Sequence, residues 1–171
     1  TDENGKERSN FPLAELFGAD FAGEEKKYAL DAKGKPKRGV IQTYLEATGH
    51  RLTRSLRLST VGVSGTFLNL RTRGVGEELM RYRLPLMVED LEHNHWFNWG
   101  PPPPGSEDGG TAAVYNRYGR GQSVYIGAPV FRGVTTDKTF WMRKWLPELL
   151  RQLQPEPAIE LHFSGLPEYV H

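Results

Sequence analysis

The sequence predicts a mixed fold of short β-strands and few helices, in the α/β or α+β class. Glycine provides 19 and proline 12 of the 171 residues, a turn-rich composition that argues against a helical bundle. Several short stretches alternate apolar and polar residues, as half-buried strands do. Residues 138–153 repeat apolar side chains at intervals of three and four, which predicts one long amphipathic helix.

The first predicted element is a short helix within residues 9–18. Ser9 or Asn10 can cap its beginning, and Gly18 suits the left-handed conformation that ends many helices. The side chains expected on the buried face are Leu13, Leu16 and Phe17.

The middle of the chain predicts several short strands. β-branched and aromatic residues dominate the first of these, residues 40–45. Shorter alternating or apolar stretches follow it, and they are residues 56–58, 61–63, 67–70 and 79–84. We therefore expect a sheet in which successive short strands are connected by turns.

Charge is distributed unevenly along this region. Residues 33–83 contain 11 Lys and Arg against 3 Asp and Glu, although the whole chain has a net charge of only +1. Such an excess can form a nucleic-acid-binding face. No nucleic-acid-binding motif accompanies the charge, so we favour Arg and Lys on the solvent side of an antiparallel sheet. We expect neither nucleic acid nor a membrane as a partner.

A proline- and glycine-rich stretch precedes the clearest local pattern. Residues 100–110 predict an exposed loop, with polyproline II over 101–104. Two apolar runs, 112–116 and 123–127, then flank a glycine-containing turn, which is typical of a β-hairpin. The hairpin is expected to lie beside the long helix.

Asp137 can cap that long helix, and Pro147 inside it is expected to kink or divide it. The proline-rich residues 154–157 end it, and residues 158–163 alternate as a further strand. The predicted buried stripe of the helix is Trp141, Met142, Trp145, Leu146, Leu149, Leu150 and Leu153.

The candidate binding residues lie close together between residues 89 and 105. His93 and His95 would share one face of a strand and are candidate metal ligands, although loop histidines are usually solvated. Trp96 and Trp99 are candidates for stacking on a sugar or contacting another subunit. In that case the two histidines supply hydrogen bonds instead of binding a metal. The alternative is that the tryptophans fasten the loop to the core.

Catalytic chemistry is not indicated by any motif. The chain has no cysteine, which excludes disulfides, thiolate metal sites and Cys nucleophiles. Glycosidases need two positioned carboxylates, and adjacent acidic pairs such as Glu77-Glu78 and Glu107-Asp108 lie where acids are usually solvated. We therefore predict no catalytic residue and no cofactor.

Two parts of the chain resemble a known module. Residues 1–18, with the run Asn-Phe-Pro-Leu-Ala-Glu-Leu-Phe-Gly at 10–18, are similar to a stretch of the glutamine-amidotransferase-like module of bacterial glycoside hydrolases. This module is called the trimerisation domain in family 42 beta-galactosidases and also occurs in related glycosyl hydrolases. The hairpin at 114–127, the helix at 138–153 and residues 155–161 resemble the end of the same module.

The resemblance implies a fold and an organisation. Residues 1–154 would form part of a flavodoxin-like, amidotransferase-like module with a β-rich insertion, and 155–171 would begin a small C-terminal β-domain. The catalytic carboxylates of such enzymes lie on a TIM barrel that precedes the module, so this chain is expected to be a piece of a longer polypeptide. Its partners would be that TIM-barrel domain and further copies of the same protein.

The leading hypothesis is a non-catalytic C-terminal module of a bacterial glycoside hydrolase, which supports oligomer assembly and encloses the active site. One alternative is a stand-alone, β-rich carbohydrate-binding protein. A second is a metal-dependent enzyme that uses His93 and His95. The resemblance leaves the bacterial cytoplasm, the periplasm and secretion open.

Overall fold

The structure is a computed structural model in which a β-sheet forms the centre of the described chain. The residues it describes are 5–6, 8–22, 42–56, 58–64, 67–86, 103–135 and 139–156. The strands are β1 (Ala19–Phe21), β2 (Gln42–Ala47), β3 (Thr60–Ser64), β4 (Leu70–Thr72), β5 (Glu77–Pro85), β6 (Pro104–Tyr118) and β7 (Gly121–Ile126). The helices in the described ranges are α1 (Ala14–Phe17), α2 (Val130–Thr135), α3 (Phe140–Leu153) and the 3-10 turn Arg51–Thr53.

The strand order is β1-β4-β6-β5-β2-β3, and β7 pairs with β6. Each of the pairings between described strands is antiparallel. The fold is therefore α+β and β-rich. The flavodoxin-like expectation is not confirmed, because a flavodoxin-like sheet is parallel and its strands are joined by crossover helices.

The predicted hairpin is confirmed as β6 and β7, but β6 is much longer than expected. It begins at Pro104, so residues 104–110 form a strand paired with β5 where the sequence predicted an exposed loop. Gly109 permits this pairing, because a Cβ there would lie 2.6 Å from Tyr82 Cβ. Pro104 is tolerated as the first residue of the strand, where proline disturbs the ladder least.

The main core lies between one face of the sheet and α3. As predicted, one side of α3 is buried, with Met142, Trp145, Leu146 and Leu149 inside and Trp141 half-buried. Trp145 is 0% exposed, and its indole Nε1 donates a hydrogen bond to Leu52 O at 2.8 Å. Leu150 was predicted to be buried but is 59% exposed, since the contact face is narrower than the apolar stripe.

The boundaries of α3 also correct the prediction. Thr139 occupies the N-cap position, while Asp137 lies outside the described residues. Pro147 lies inside a helix that continues from Phe140 to Leu153, so it does not divide α3. The predicted strand 158–163 and the proposed C-terminal β-domain also lie outside the described residues.

A smaller core covers part of the opposite face of the sheet. Phe11 and Phe17 pack on Tyr125 of β7, with ring centroids 4.9 and 4.5 Å away. Gly18 ends α1 with a φ of 63°, as predicted. Leu13 and Leu16, expected inside, are 53% and 36% exposed, because Ala14 is the residue of this short helix that turns towards the sheet.

Three further differences concern short elements. α2 was not predicted, because six residues are too few to show a helical period. Residues 56 and 58 do not form a strand, since Leu56 follows the 3-10 turn and is buried at the end of a loop. The predicted strand 67–70 is replaced by β4, which begins where that stretch ends.

Candidate functional site

The predicted binding residues His93, His95, Trp96 and Trp99 lie outside the described residues, so their prediction remains untested. The structure does define where their segment is attached. Pro85, which ends β5, is paired with Pro104, which begins β6. Leu86 N donates to Pro103 O at 2.8 Å. Segment 87–102 therefore leaves and re-enters the sheet at the same end of its two central strands.

Next to this attachment, one face of the sheet carries a row of paired charges, which we call the charged ladder. It lies on the face that α1 covers in part, across β2, β5 and β6. Its members are Glu46, Glu78, Arg81, Arg83, Asp108 and Thr111. Strand alternation explains the placement, because Tyr82 and Leu84 of β5 face the opposite side and are buried.

Arg81 is the centre of the charged ladder. Its Nε and Nη2 donate to Glu78 Oε1 at 2.9 and 2.7 Å, and its Nη1 donates to Asp108 Oδ2 at 2.7 Å. Thr111 Oγ1 donates to the other Glu78 oxygen at 2.6 Å. Hydrogen bonds and charge from Glu78 raise the pKa of Arg81.

Arg83 extends the charged ladder towards β2 and the attachment of segment 87–102. Its Nη2 pairs with Glu46 Oε2, and its Nη1 donates to Ser106 O at 2.7 Å. The sequence predicted that the basic stretch places cations on the polar side of an antiparallel sheet. For Arg81 and Arg83, this prediction is confirmed.

In the charged ladder, each carboxylate is held in place by an arginine that balances its charge. Glu46, Glu78 and Asp108 each bind a guanidinium, and both oxygens of Glu78 accept hydrogen bonds. A general acid must instead hold a proton that it can give to a leaving group. The charged ladder therefore links β2, β5 and β6 through ion pairs, and its carboxylates are engaged by Arg81 and Arg83 instead of being free to act as a catalytic acid.

A second polar cluster surrounds the buried hydroxyl of Tyr115, at the other end of β5 and β6. Arg51 Nη2 and Arg117 Nε donate to this oxygen at 3.3 and 3.2 Å. The hydroxyl donates to Gln122 Oε1 at 3.0 Å. Gln122 Nε2 in turn donates to Leu153 O at 2.9 Å, so the cluster satisfies a carbonyl at the C-terminal end of α3.

His50 borders this cluster. Its Nδ1 accepts a hydrogen bond from Leu52 N at 3.2 Å and thereby caps the 3-10 turn. Its Nε2 lies 3.5 Å from Glu77 Oε2. Burial lowers the pKa of His50, and the charge of Glu77 opposes that effect.

The sequence pattern does not predict this cluster, because its members come from separate parts of the chain. Only the alternation of β6, which directs Tyr115 inward, could have indicated that a polar hydroxyl would need buried partners.

The described ranges contain neither a candidate metal site nor a membrane-spanning helix. No group of three or more His, Asp or Glu side chains there could hold a metal ion. In the same ranges, no helix is long and apolar enough to cross a membrane. The His93 and His95 hypothesis is not tested by this result, because both residues lie outside those ranges.

Comparison with known proteins identifies the class of this fold. No protein-family model matches the chain, and no curated protein matches it. Among solved structures, it is similar to alpha-L-fucosidase isoenzyme 2 from Paenibacillus thiaminolyticus, with a TM-score of 0.59 and 17% identity. The likeness covers 82% of this chain but only 18% of that enzyme. The chain therefore has a glycosidase-related fold.

Proposed function

We propose that this chain is a non-catalytic module of a bacterial glycoside hydrolase that supports oligomer assembly and encloses the active site. The observation that carries the proposal is that the structural likeness covers most of this chain but only a small part of the fucosidase chain. Most of this chain resembles a part, 18%, of a much longer fucosidase chain. We propose that the chain acts beside a catalytic domain of the same polypeptide, a TIM barrel.

The carboxylates of the charged ladder support the non-catalytic part of this proposal. Hydrolysis of a glycoside requires one carboxyl group to give a proton and a second to act as nucleophile or base. Glu46, Glu78 and Asp108 are each engaged by Arg81 or Arg83. Freeing one of them would break a hydrogen-bonded ion pair of the sheet.

The attachment of segment 87–102 supports the proposal that the module encloses the active site. The described ends of this segment are joined to the sheet by the Pro85–Pro104 pairing, and binding residues concentrate in segments attached to such a scaffold. We propose that Trp96 and Trp99 contact a sugar or another subunit from this segment, with His93 and His95 supplying hydrogen bonds.

The decisive test is hydrolysis by the 171-residue chain alone. A panel of aryl glycosides that includes an aryl α-L-fucoside should give no turnover above the buffer rate. Turnover that survives repurification and disappears in Glu46→Gln, Glu78→Gln or Asp108→Asn would contradict the proposal. A matched control is Glu156→Gln, which changes an exposed carboxylate after α3, away from the charged ladder.

A further inference from the structure

A cleft of about 750 Å³ lies along α3 on the side facing away from the sheet, remote from the charged ladder. We call it the α3 cleft. It is formed by side chains from three turns of α3 and from the loop that follows the 3-10 turn. These are Arg54, Ser55, Phe140, Trp141, Arg143, Lys144, Pro147, Glu148 and Arg151.

The charges of the α3 cleft are unbalanced. Four cations line it against the single carboxylate of Glu148. That carboxylate lies 3.8 Å from Arg151 Nη1. Arg54 and Arg143 have no ion pair within the part of the chain that the structure describes. A concave surface lined by cations attracts anions and raises their local concentration.

Apolar surface lies beside these cations. Phe140 is 56% exposed and meets Trp141 edge to face, with ring centroids 5.0 Å apart. Lys144 Nζ lies 4.8 Å from the Phe140 ring centroid. An exposed aromatic ring of this kind can cover the apolar face of a sugar ring.

Ser55 borders the α3 cleft, but its hydroxyl is enclosed. Ser55 Oγ is buried and has no hydrogen-bond partner among the described residues. Because this oxygen has no surface open to the α3 cleft, a ligand in the cleft does not reach it. The volume is within the range of small-molecule sites.

We propose that the α3 cleft binds an anionic saccharide, namely a sugar that carries a carboxylate. The planar guanidinium groups of Arg54 and Arg143 suit a carboxylate, which they can bind through two hydrogen bonds each. Phe140 covers the ring face. The saccharide part rests on the proposed function, whereas the preference for an anion rests on the geometry alone.

Calorimetric titration of the full chain with a galacturonate trisaccharide tests the proposal. The neutral control is the methyl-esterified trisaccharide, which keeps the rings and loses the charge. We expect binding of the acid, weakening as salt is added, and at least about tenfold weaker binding of the ester. Equal affinity for both forms, or preferential binding of an oligoglutamate peptide, would overturn the proposal.

Substitutions locate the site. Arg54→Gln and Arg143→Gln should each weaken binding about tenfold, while Arg120→Gln, in the exposed β6–β7 turn, should leave it unchanged. Ser55→Ala should leave both binding and the Tm unchanged, because it removes an enclosed hydroxyl that has no partner among the described residues. Unchanged affinity in both arginine variants would overturn the assignment. Because this readout is binding and not hydrolysis, its failure would not affect the turnover test of the proposed function.

Discussion

At the scale of single residues, His50 links the local turn to the main core. Its Nδ1 accepts from Leu52 N, and Leu52 O accepts from the indole of Trp145. A protonated imidazole cannot accept at Nδ1, so the cap requires the neutral ring. We therefore expect the docking of α3 to depend on the charge of His50.

We therefore predict that stability falls in acid through His50. Burial lowers its pKa from the ordinary 6.5, so the unfolded chain binds the proton more readily than the folded chain. The contribution is complete above pH 6.5 and is lost as the pH falls through the folded pKa. Urea unfolding measured from pH 8 to 5 checks this. His50→Asn keeps a cap acceptor without a titrating group, and an identical pH profile in that variant would contradict the prediction.

The Tyr115 hydroxyl is the second residue with a specific role. Tyr115→Phe keeps the buried ring but leaves Arg51, Arg117 and Gln122 without this partner. We expect a loss of about 1–3 kcal/mol in the free energy of unfolding. Tyr118→Phe is the matched control, since Tyr118 is 51% exposed, and it should change stability by less than about 0.5 kcal/mol. Equal effects in chemical denaturation would contradict a structural role for the cluster.

At the scale of elements, the docking of α3 against the sheet depends on Trp145. Trp145→Ala should lower the free energy of unfolding by about 3–5 kcal/mol, because it opens a large cavity and removes the hydrogen bond to Leu52 O. Leu150→Ala, on the exposed side of the same helix, should cost less than about 0.5 kcal/mol. A loss below about 1 kcal/mol for Trp145→Ala would show that this face is not part of the core.

At the scale of the whole molecule, Trp99 tests whether segment 87–102 acts in binding or in packing. If the proposed function holds, Trp99→Ala leaves the Tm unchanged and weakens oligosaccharide binding or self-association, measured by calorimetry and sedimentation velocity. The reverse result, a lower Tm with binding and assembly intact, would mean that the tryptophan fastens the segment to the core. Phe131→Ala on α2, an aromatic side chain that is 67% exposed and lies outside both this segment and the α3 cleft, is the control for unspecific loss of aromatic surface.

The sequence by itself determined the elements whose information is local. The apolar spacing of residues 138–153 sufficed to predict α3, and the paired runs around Gly119 and Gly121 sufficed for the β6–β7 hairpin. Gly18 likewise ends α1 in the conformation that glycine favours. In each case neighbouring residues decide the backbone conformation.

Only the tertiary structure decided the rest. Residues 104–110 are a strand because β5, about 25 residues earlier in the chain, supplies their hydrogen bonds, and no local pattern contains that partner. The antiparallel strand order, the charged ladder and the Tyr115 cluster arise in the same way, from side chains that meet only when distant strands pair. The physical reason is that hydrogen bonds in a sheet, unlike those in a helix, join residues whose separation along the chain is not fixed.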